Sequence, residues 1–398
     1  MTAQGRPVQL QRALKRGGEG TIYLTDSGLV CKVYTERPPT VAMRQKLELM
    51  TAHPVHYRGI CWPRELVFAE PGGAFVGYLM PRVPDGVHDV ADIASRAKIK
   101  RAFPTWDRRN LVIFATTLLQ AIAHLHRCNV LLGDISLANF MVQDERTIFL
   151  VDTDSYQVEG FPSPVTTLPF THPDLLGKDC RTVLRTLVHE EFALATLLFM
   201  VLVPGQSPYA RQGGSSLVEN LKAALFPYPM PGKRGAGAPD YARYIWSWLP
   251  LRVRQCFAGV FAERRTISAR GWLEVLTAYR AELDTATDAQ AAGGPTAPAL
   301  AIFPAGYKPG PKRQPGPGET LQTCQAPGCG YVFVEPAEPE PDEPKLCKHC
   351  RIKRLELPCA RAGCRNTTQV KLAQTLKAPH RRWYCAACRE ARQFQRRA

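Results

Sequence analysis

Four polar residues, each beside a short apolar run, most constrain what this chain can fold into. Lys32 closes one such run, just after a cluster of glycines, and Asp134 and Asn139 stand five positions apart. Asp152 follows thirteen residues after Asn139, directly behind another apolar run. A fold that uses all four must bring an ammonium, an amide and two carboxylates together from distant parts of the chain. Such a set suits a nucleotide triphosphate with its metal ion.

Hydrophobic periodicity divides the first 284 residues into a strand-rich part and a helix-rich part. Apolar runs and turn residues predict strands over 8–16, 21–25, 29–34 and 75–80. Helical spacing predicts helices over 41–52, 108–127, 189–203, 215–226, 240–248, 250–262 and 267–283. These elements predict an α+β fold, with a small β-rich lobe over 9–80 and a larger helical lobe over 84–284.

Length and hydropathy predict a chain of two or three domains that does not cross a membrane. The chain has 398 residues, and its longest apolar run, 192–203, is too short to span a bilayer and predicts a buried helix. No apolar core follows Met1, so we expect no secretory signal and a cytoplasmic location. In that reducing compartment, paired cysteines favour metal binding over disulfides.

A change of composition separates a cysteine-rich tail from the rest of the chain. Residues 285–320 are rich in Ala, Gly, Pro and Thr, which predicts a flexible linker. Behind it, the cysteine spacing of 321–355 is repeated in 356–398, which indicates a tandem duplication. Each copy supplies four thiolates from two short knuckles, as tetrahedral Zn²⁺ requires, and resembles a zinc ribbon. The expected ligands of the two zinc ions are Cys324, Cys329, Cys347 and Cys350, then Cys359, Cys364, Cys385 and Cys388.

The tail also carries most of the positive charge of the protein. From Lys345 to Ala398 there are fifteen Lys and Arg residues against two acidic ones, while the whole chain has a net charge of +16. Aromatic residues such as Trp383 and Tyr384 lie among these basic residues. Two partners are compatible with this surface: a nucleic-acid backbone, or a protein that docks on a charged module.

Each of the four polar residues has a physical role in phosphate transfer. A glycine-rich turn lets backbone N–H groups approach phosphate oxygens, and a lysine on the next strand neutralises phosphate charge. Asp152 and Asn139 offer oxygen ligands to Mg²⁺, and Asp134 can orient an attacking hydroxyl and accept its proton. Each feature alone has a simpler explanation, such as a plain turn or a helix cap. The ordered set favours the catalytic interpretation.

The same segments together resemble a bacterial protein kinase domain of the eukaryotic type, over roughly residues 9–284. The glycine cluster resembles the glycine-rich loop, Lys32 the ATP-anchoring lysine and Thr171–Leu175 the end of the activation segment. The sequence around Asp134 and Asp152 is similar to that of a divergent group of bacterial kinases. Some members of this group are encoded beside von Willebrand A-type proteins and phosphatases in stress and tellurium-resistance clusters.

The resemblance implies a Ser/Thr protein kinase that uses ATP and Mg²⁺ or Mn²⁺, acts on protein substrates and has Asp134, Lys32, Asn139 and Asp152 as its catalytic residues. It further implies that Arg265 ion-pairs with the end of the activation segment. By the same resemblance, the residues that contact or align the nucleotide are Gly17, Gly18, Gly20, Ile22, Met80 and Glu48. Glu48 is the candidate partner of Lys32 by elimination, because it is the only acidic residue between Arg37 and Arg64. The alternative is that Glu48 lies on a solvated helix face.

Several positions depart from the kinase pattern. Gly133 stands where an arginine precedes the catalytic aspartate, so docking of a phosphorylated loop on that arginine is not expected. Ser136 replaces a lysine, Asp154 replaces the glycine of the metal loop, and Glu190 replaces an aspartate. The alternative to an active kinase is therefore a pseudokinase scaffold whose basic tail binds nucleic acid or a protein.

Overall fold

The computed structural model describes most of the chain, which divides into two compact units, Met1–Ala305 and Gly306–Ala398. None of the helices in the described part is both long and apolar enough to cross a membrane. The residues that the structure describes are 1–211, 216–231, 237–292, 298–303, 319–326, 332–336, 344–346, 348–378 and 380–389.

The first unit begins with a five-stranded antiparallel sheet of order β1-β2-β3-β5-β4 and one helix, α1. Lys32 lies in the middle of β3, opposite Ile22 on one side and Tyr78 on the other. Gly20 sits where β2 meets β3 so closely that a Cβ would lie 2.1 Å from the carbonyl oxygen of Val33. The bounds are β1 Leu10–Arg16, β2 Gly20–Thr25, β3 Val30–Tyr34, α1 Val41–Ala52, β4 Glu65–Phe68 and β5 Phe75–Met80.

Short elements then connect the sheet to a long helix, α4, and to a three-stranded sheet of order β6-β8-β9. The side chain of Asp107 caps α4 by accepting from the backbone N–H groups of Arg109 and Asn110, so the helix begins as predicted at Arg108. The bounds are β6 His88–Asp89, α2 Val90–Ile93, α3 Arg96–Ala102, α4 Arg108–Arg127, β7 Val130–Leu131, β8 Phe140–Asp144, β9 Thr147–Leu150 and β10 Gln157–Val158.

A buried helix, α5, forms the centre of the remaining helical part. Most of its residues are buried, which explains why its sequence is almost continuously apolar. Its side chains join a single hydrophobic cluster that extends from the first sheet to Ile302. The bounds are α5 Leu187–Leu202, α6 Leu217–Lys222, α7 Asp240–Ser247, α8 Leu251–Glu263 and α9 Ala269–Ala291.

The start of the expected linker belongs to the first unit. Helix α9 continues to Ala291, so residues 285–291 are helical rather than flexible. Farther along, Leu300 and Ile302 are buried in the core, and the fully buried guanidinium of Arg108 donates to the carbonyl oxygen of Ile302 at 2.9 Å. Composition suggested a linker because Ala and Thr are common there, but Ala286, beyond the predicted end of the helix, packs against the core.

In its described residues, the second unit contains two antiparallel strand pairs of similar size, which begin at Glu319 and Arg354, near the starts of the two cysteine repeats. A helix follows each strand pair. The bounds are β11 Glu319–Thr323, β12 Val332–Pro336, α10 Lys348–Ile352, β13 Arg354–Pro358, β14 Thr367–Lys371 and α11 Leu372–Lys377. The repeated strand pair agrees with the duplication that the sequence predicts.

Candidate active site and cysteine cluster

Lys32 is the centre of a buried group of charges. Only 8% of its side chain is exposed, and its Nζ donates to both carboxylate oxygens of Asp154, at 2.7 and 2.9 Å, and to Oδ1 of Asp152 at 2.8 Å. Glu19 of the glycine-rich turn lies farther away, at 3.5 Å. Burial alone would lower the pKa of Lys32, but Asp154 and Asp152 raise it, so the side chain stays charged.

Asp154 is held more completely than any other carboxylate of this group. Tyr34 on β3 and Tyr78 on β5 donate their hydroxyls to its two oxygens, at 2.7 and 2.8 Å. Burial would raise the pKa of Asp154, but the charge and hydrogen bonds of Lys32, together with the two tyrosines, hold it at about 2. Lys46 on α1 donates to the backbone carbonyl of Asp154 at 2.7 Å.

Asp152 is the accessible carboxylate of the turn that follows β9. Its side chain is 44% exposed, and its backbone has φ +59°, a left-handed conformation that turns the chain directly after β9. Burial and the neighbouring Asp154 raise the pKa of Asp152 against the opposing effect of Lys32. This side chain is therefore the one that a metal cation would stabilise in its ionised form.

Asn139 and Asp134 lie beside this turn. The backbone N–H of Val151 donates to the carbonyl oxygen of Asn139 at 3.1 Å, which joins the segment before β8 to the residue before Asp152. The Asn139 amide donates to the backbone carbonyl of Asp134 at 2.8 Å. Thr167, which the sequence analysis missed, donates its hydroxyl to Oδ1 of Asp134 at 3.0 Å. The structure thus joins Asn139 directly to Asp134, and to Asp152 only through the backbone of Val151, while Lys32 contacts Asp152.

Glu190 fixes the backbone just before Asp134. It lies in the first turn of α5, is almost fully buried, and accepts the N–H groups of Leu132 and Gly133, at 2.7 and 2.9 Å. Two hydrogen bonds to one ionised carboxylate are stronger than two neutral ones. Glu190, which stands where the kinase pattern has an aspartate, therefore holds the loop before Asp134 in spite of its longer side chain.

The predicted nucleotide contacts lie along the first sheet. Gly17 and Gly18 form the turn between β1 and β2, where the N–H of Gly17 donates to the carbonyl oxygen of Gly20 at 2.8 Å. Ile22 is partly buried beside Lys32, and Met80 ends β5. Contact of these residues with a nucleotide stays a prediction.

Glu48 is not the partner of Lys32, which corrects the expectation made by elimination. Its side chain is 46% exposed and pairs with Arg44 on the outer face of α1. The α1 residue that faces the site is Lys46, and the carboxylate that holds Lys32 is Asp154. One signal for Lys46 was present: Met50, four positions later, is apolar, which puts both on one helix face.

Arg265 also differs from expectation. Its guanidinium pairs with Glu263, at 2.6 Å, two residues earlier in the chain, rather than with the end of the activation segment. Asp174, at that end, instead lies 3.6 Å from His172.

His172, Asp174 and His189 bring three potential metal-ligand atoms within 4.8 Å of one another. In both histidines, Nδ1 accepts a backbone N–H, from Asp174 in one and from Thr186 in the other. In a neutral imidazole, the proton then sits on Nε2, which cannot bind a cation. The two rings serve as structural hydrogen-bond acceptors.

The second cysteine quartet forms a compact thiol cluster. The sulfur atoms of Cys359, Cys364, Cys385 and Cys388 lie within 4.8 Å of one another. The Sγ of Cys364 is 3.9 Å from that of Cys385 and 3.7 Å from that of Cys388. Tetrahedral zinc with Zn–S bonds of about 2.3 Å requires sulfur–sulfur distances of about 3.8 Å. The four residues therefore fit zinc.

Only half of the first quartet can be described. Cys324 and Cys350 are buried in one small apolar cluster with Leu346 and Leu372. Cys329 and Cys347 lie outside the described residues. The first zinc site remains a prediction.

Comparisons with known proteins support a kinase-like protein. No family model matches the chain. It is 29% identical to protein kinase YegI of Escherichia coli O157:H7 over 313 residues, which make up 72% of this chain and 47% of that protein. The corresponding protein of Escherichia coli strain K12 is 28% identical over 309 residues, with coverages of 71% and 46%. The chain thus spans about half the length of the curated relatives it matches.

Proposed function

We propose that the chain is an ATP- and Mg²⁺-dependent protein kinase that phosphorylates serine or threonine hydroxyls. The observation that carries the proposal is the direct contact of Lys32 with Asp152 and of Asn139 with Asp134, with the backbone N–H of Val151 joining the two pairs. Similarity to proteins named as kinases adds independent support.

In the proposed reaction, an acceptor hydroxyl attacks the γ-phosphorus of ATP. The new O–P bond forms as the bond between the γ-phosphorus and the β,γ-bridging oxygen breaks, and ADP leaves with the bond's electron pair. Asp134 accepts the hydroxyl proton. Thr167 holds Oδ1 of this carboxylate, which orients the carboxylate for the incoming hydroxyl.

Lys32, Asp152 and Asn139 would act on the phosphates. Lys32 supplies a fixed positive charge, since its ammonium is buried and ionised. Asp152 and Asn139 would hold the magnesium ion, whose charge neutralises the phosphate oxygens. The carboxylate supplies charge and the amide supplies a neutral oxygen.

The second candidate is a pseudokinase scaffold. It is favoured by one feature, the occupation of the Lys32 ammonium by two carboxylates. In that case the basic tail would carry the function, by binding nucleic acid or a protein partner. In an active kinase, the same tail would select substrate or location, and a cognate phosphatase or von Willebrand A-type protein would be a partner.

Transfer of label from γ-labelled ATP distinguishes the two. We expect wild type to label itself or an added protein, and Asp134→Asn and Asp152→Ala to lose labelling. Asp26→Asn, in an exposed turn between β2 and β3, is the matched control and should retain it. Nucleotide binding without transfer at every Mg²⁺ and Mn²⁺ concentration would favour the scaffold.

A further inference from the structure

The carboxylate that fixes Lys32 comes from the metal-binding turn itself, not from helix α1. Glu48 is the only acidic residue of α1, and it faces away from Lys32 and pairs with Arg44. Asp154, two residues after Asp152, instead meets the Lys32 ammonium with both oxygens.

The surroundings of Asp154 are built to hold an ionised carboxylate. Its side chain is only 2% exposed, and each oxygen accepts a hydroxyl from a different strand of the first sheet, through Tyr34 and Tyr78. Lys46 fixes its backbone carbonyl from α1. Because these contacts bury the Asp154 carboxylate, it cannot reach a solvent-exposed cation. Its polar side-chain partners are Lys32, Tyr34 and Tyr78, which all donate to it.

Asp152 would otherwise have to serve two functions, pairing with Lys32 and binding a metal ion. Lys32 contacts Asp152 and Asp154 together, and of these two carboxylates only that of Asp152 is accessible. A metal ion at Asp152 would compete with Lys32 for that carboxylate. With Asp154 present, the ammonium keeps a full partner when Asp152 turns to the metal.

We propose that Asp154 is the positioning residue for Lys32, which frees Asp152 to bind the metal of a nucleotide–metal complex. The proposal rests on the function proposed above. It assigns to the turn after β9 the anchoring role that a carboxylate on α1 was expected to have, and it gives Lys46 of α1 the task of holding that turn.

The test measures Mn²⁺-assisted binding of a fluorescent ATP analogue to the full chain, separately from phosphate transfer. In Asp154→Asn, Lys32 falls back on Asp152, and we expect the Mn²⁺ concentration for half-maximal binding to rise about tenfold or more, the size of a lost charge-assisted hydrogen bond. Tyr78→Phe, which keeps the charge, should change it only a few-fold. Glu48→Gln is the matched carboxylate control on α1 and should behave as wild type.

A purely structural role would give a different pattern. Asp154→Asn would then melt at a lower temperature but keep the wild-type Mn²⁺ dependence, and the proposal would be overturned. If Asp154→Asn fails to fold, the double variant with Lys32→Met should recover a folded protein, because it removes a buried ammonium whose charge Asp152 then has to balance without Asp154. Failure of that recovery would also overturn the pairing.

The outcomes separate this inference from the proposed function. Metal-assisted binding without phosphate transfer by wild type would reject the kinase activity, and the Mn²⁺ comparison would still decide the role of Asp154. Absence of metal-assisted nucleotide binding in wild type would reject both.

Discussion

The replacement of Gly133 by alanine should destabilise the loop before Asp134 far more than the same change at a free turn. Gly133 has φ +71°, and a Cβ there would lie 2.2 Å from Nη1 of Arg185 and 2.3 Å from Cβ of Ser163. Arg185 is buried, its backbone exchanges two hydrogen bonds with the side chain of Gln157, and its Nη2 donates to the carbonyl oxygen of Val165, so the guanidinium is held in place.

The magnitude follows from two terms. A Cβ in the left-handed region costs about 1–2 kcal/mol, and forced overpacking costs about 1–3 kcal/mol more. Gly72 has φ +70°, and a Cβ added there would meet no atom within 4 Å. Gly72→Ala therefore carries only the cost of the left-handed backbone. We expect a loss of about 2–5 kcal/mol for Gly133→Ala and about 1–2 kcal/mol for Gly72→Ala.

Urea unfolding, followed by tryptophan fluorescence, measures both variants in the same chain. The buried residues Trp62, Trp246 and Trp272 report on the first unit. Equal losses for the two variants would refute the steric argument, since they share the backbone term. A Gly133→Ala protein that also keeps full phosphate transfer would show that Arg185 and Ser163 tolerate the added methyl group.

Three further outcomes follow from other contacts. Glu190→Gln should lower the free energy of unfolding in urea by about 1.5–3 kcal/mol and lower the labelling rate, because the glutamine NH₂ group then faces one of the backbone N–H groups of Leu132 and Gly133. Unchanged stability would contradict this. Cys359→Ser should remove one zinc ion per chain by metal analysis, whereas an unchanged zinc content would exclude Cys359 as a ligand. Wild type should lose stability as the pH falls from about 7.5 to about 5.5, because burial lowers the pKa of His172 below 6.5 and the unfolded chain then binds more protons. His172→Gln should lose less stability over this range, and an identical pH dependence would contradict this.

The sequence predicted elements best where local chemistry sets their ends. The bounds of α1 and α4 agree with the structure, because Thr40 and Asp107 cap their first turns. The end of α9 was missed because small residues such as Ala286 carry a weak hydrophobic signal, although Ala286 packs against the core beyond the predicted end.

The sequence could suggest the residues of the candidate site but not their pairings. Lys32, Asp134, Asn139 and Asp152 stand beside apolar runs that mark buried strands, so their order could be recognised. The partner of Lys32 depends on which side chain of a turn faces inward, and spacing does not determine that. Thr167 reaches Asp134 across 33 positions of chain, with no local pattern to mark it.

In the proposed function, one metal–nucleotide complex binds where Lys32, Asn139 and Asp152 meet, with Asp134 beside it for the acceptor. Electron paramagnetic resonance of the metal measures Mn²⁺–ATP binding at this place. We expect Asp134→Asn to bind Mn²⁺–ATP like wild type and to transfer no phosphate, while Asp152→Ala loses the bound metal signal. Wild-type metal binding by Asp152→Ala would show that Asp152 does not hold the metal.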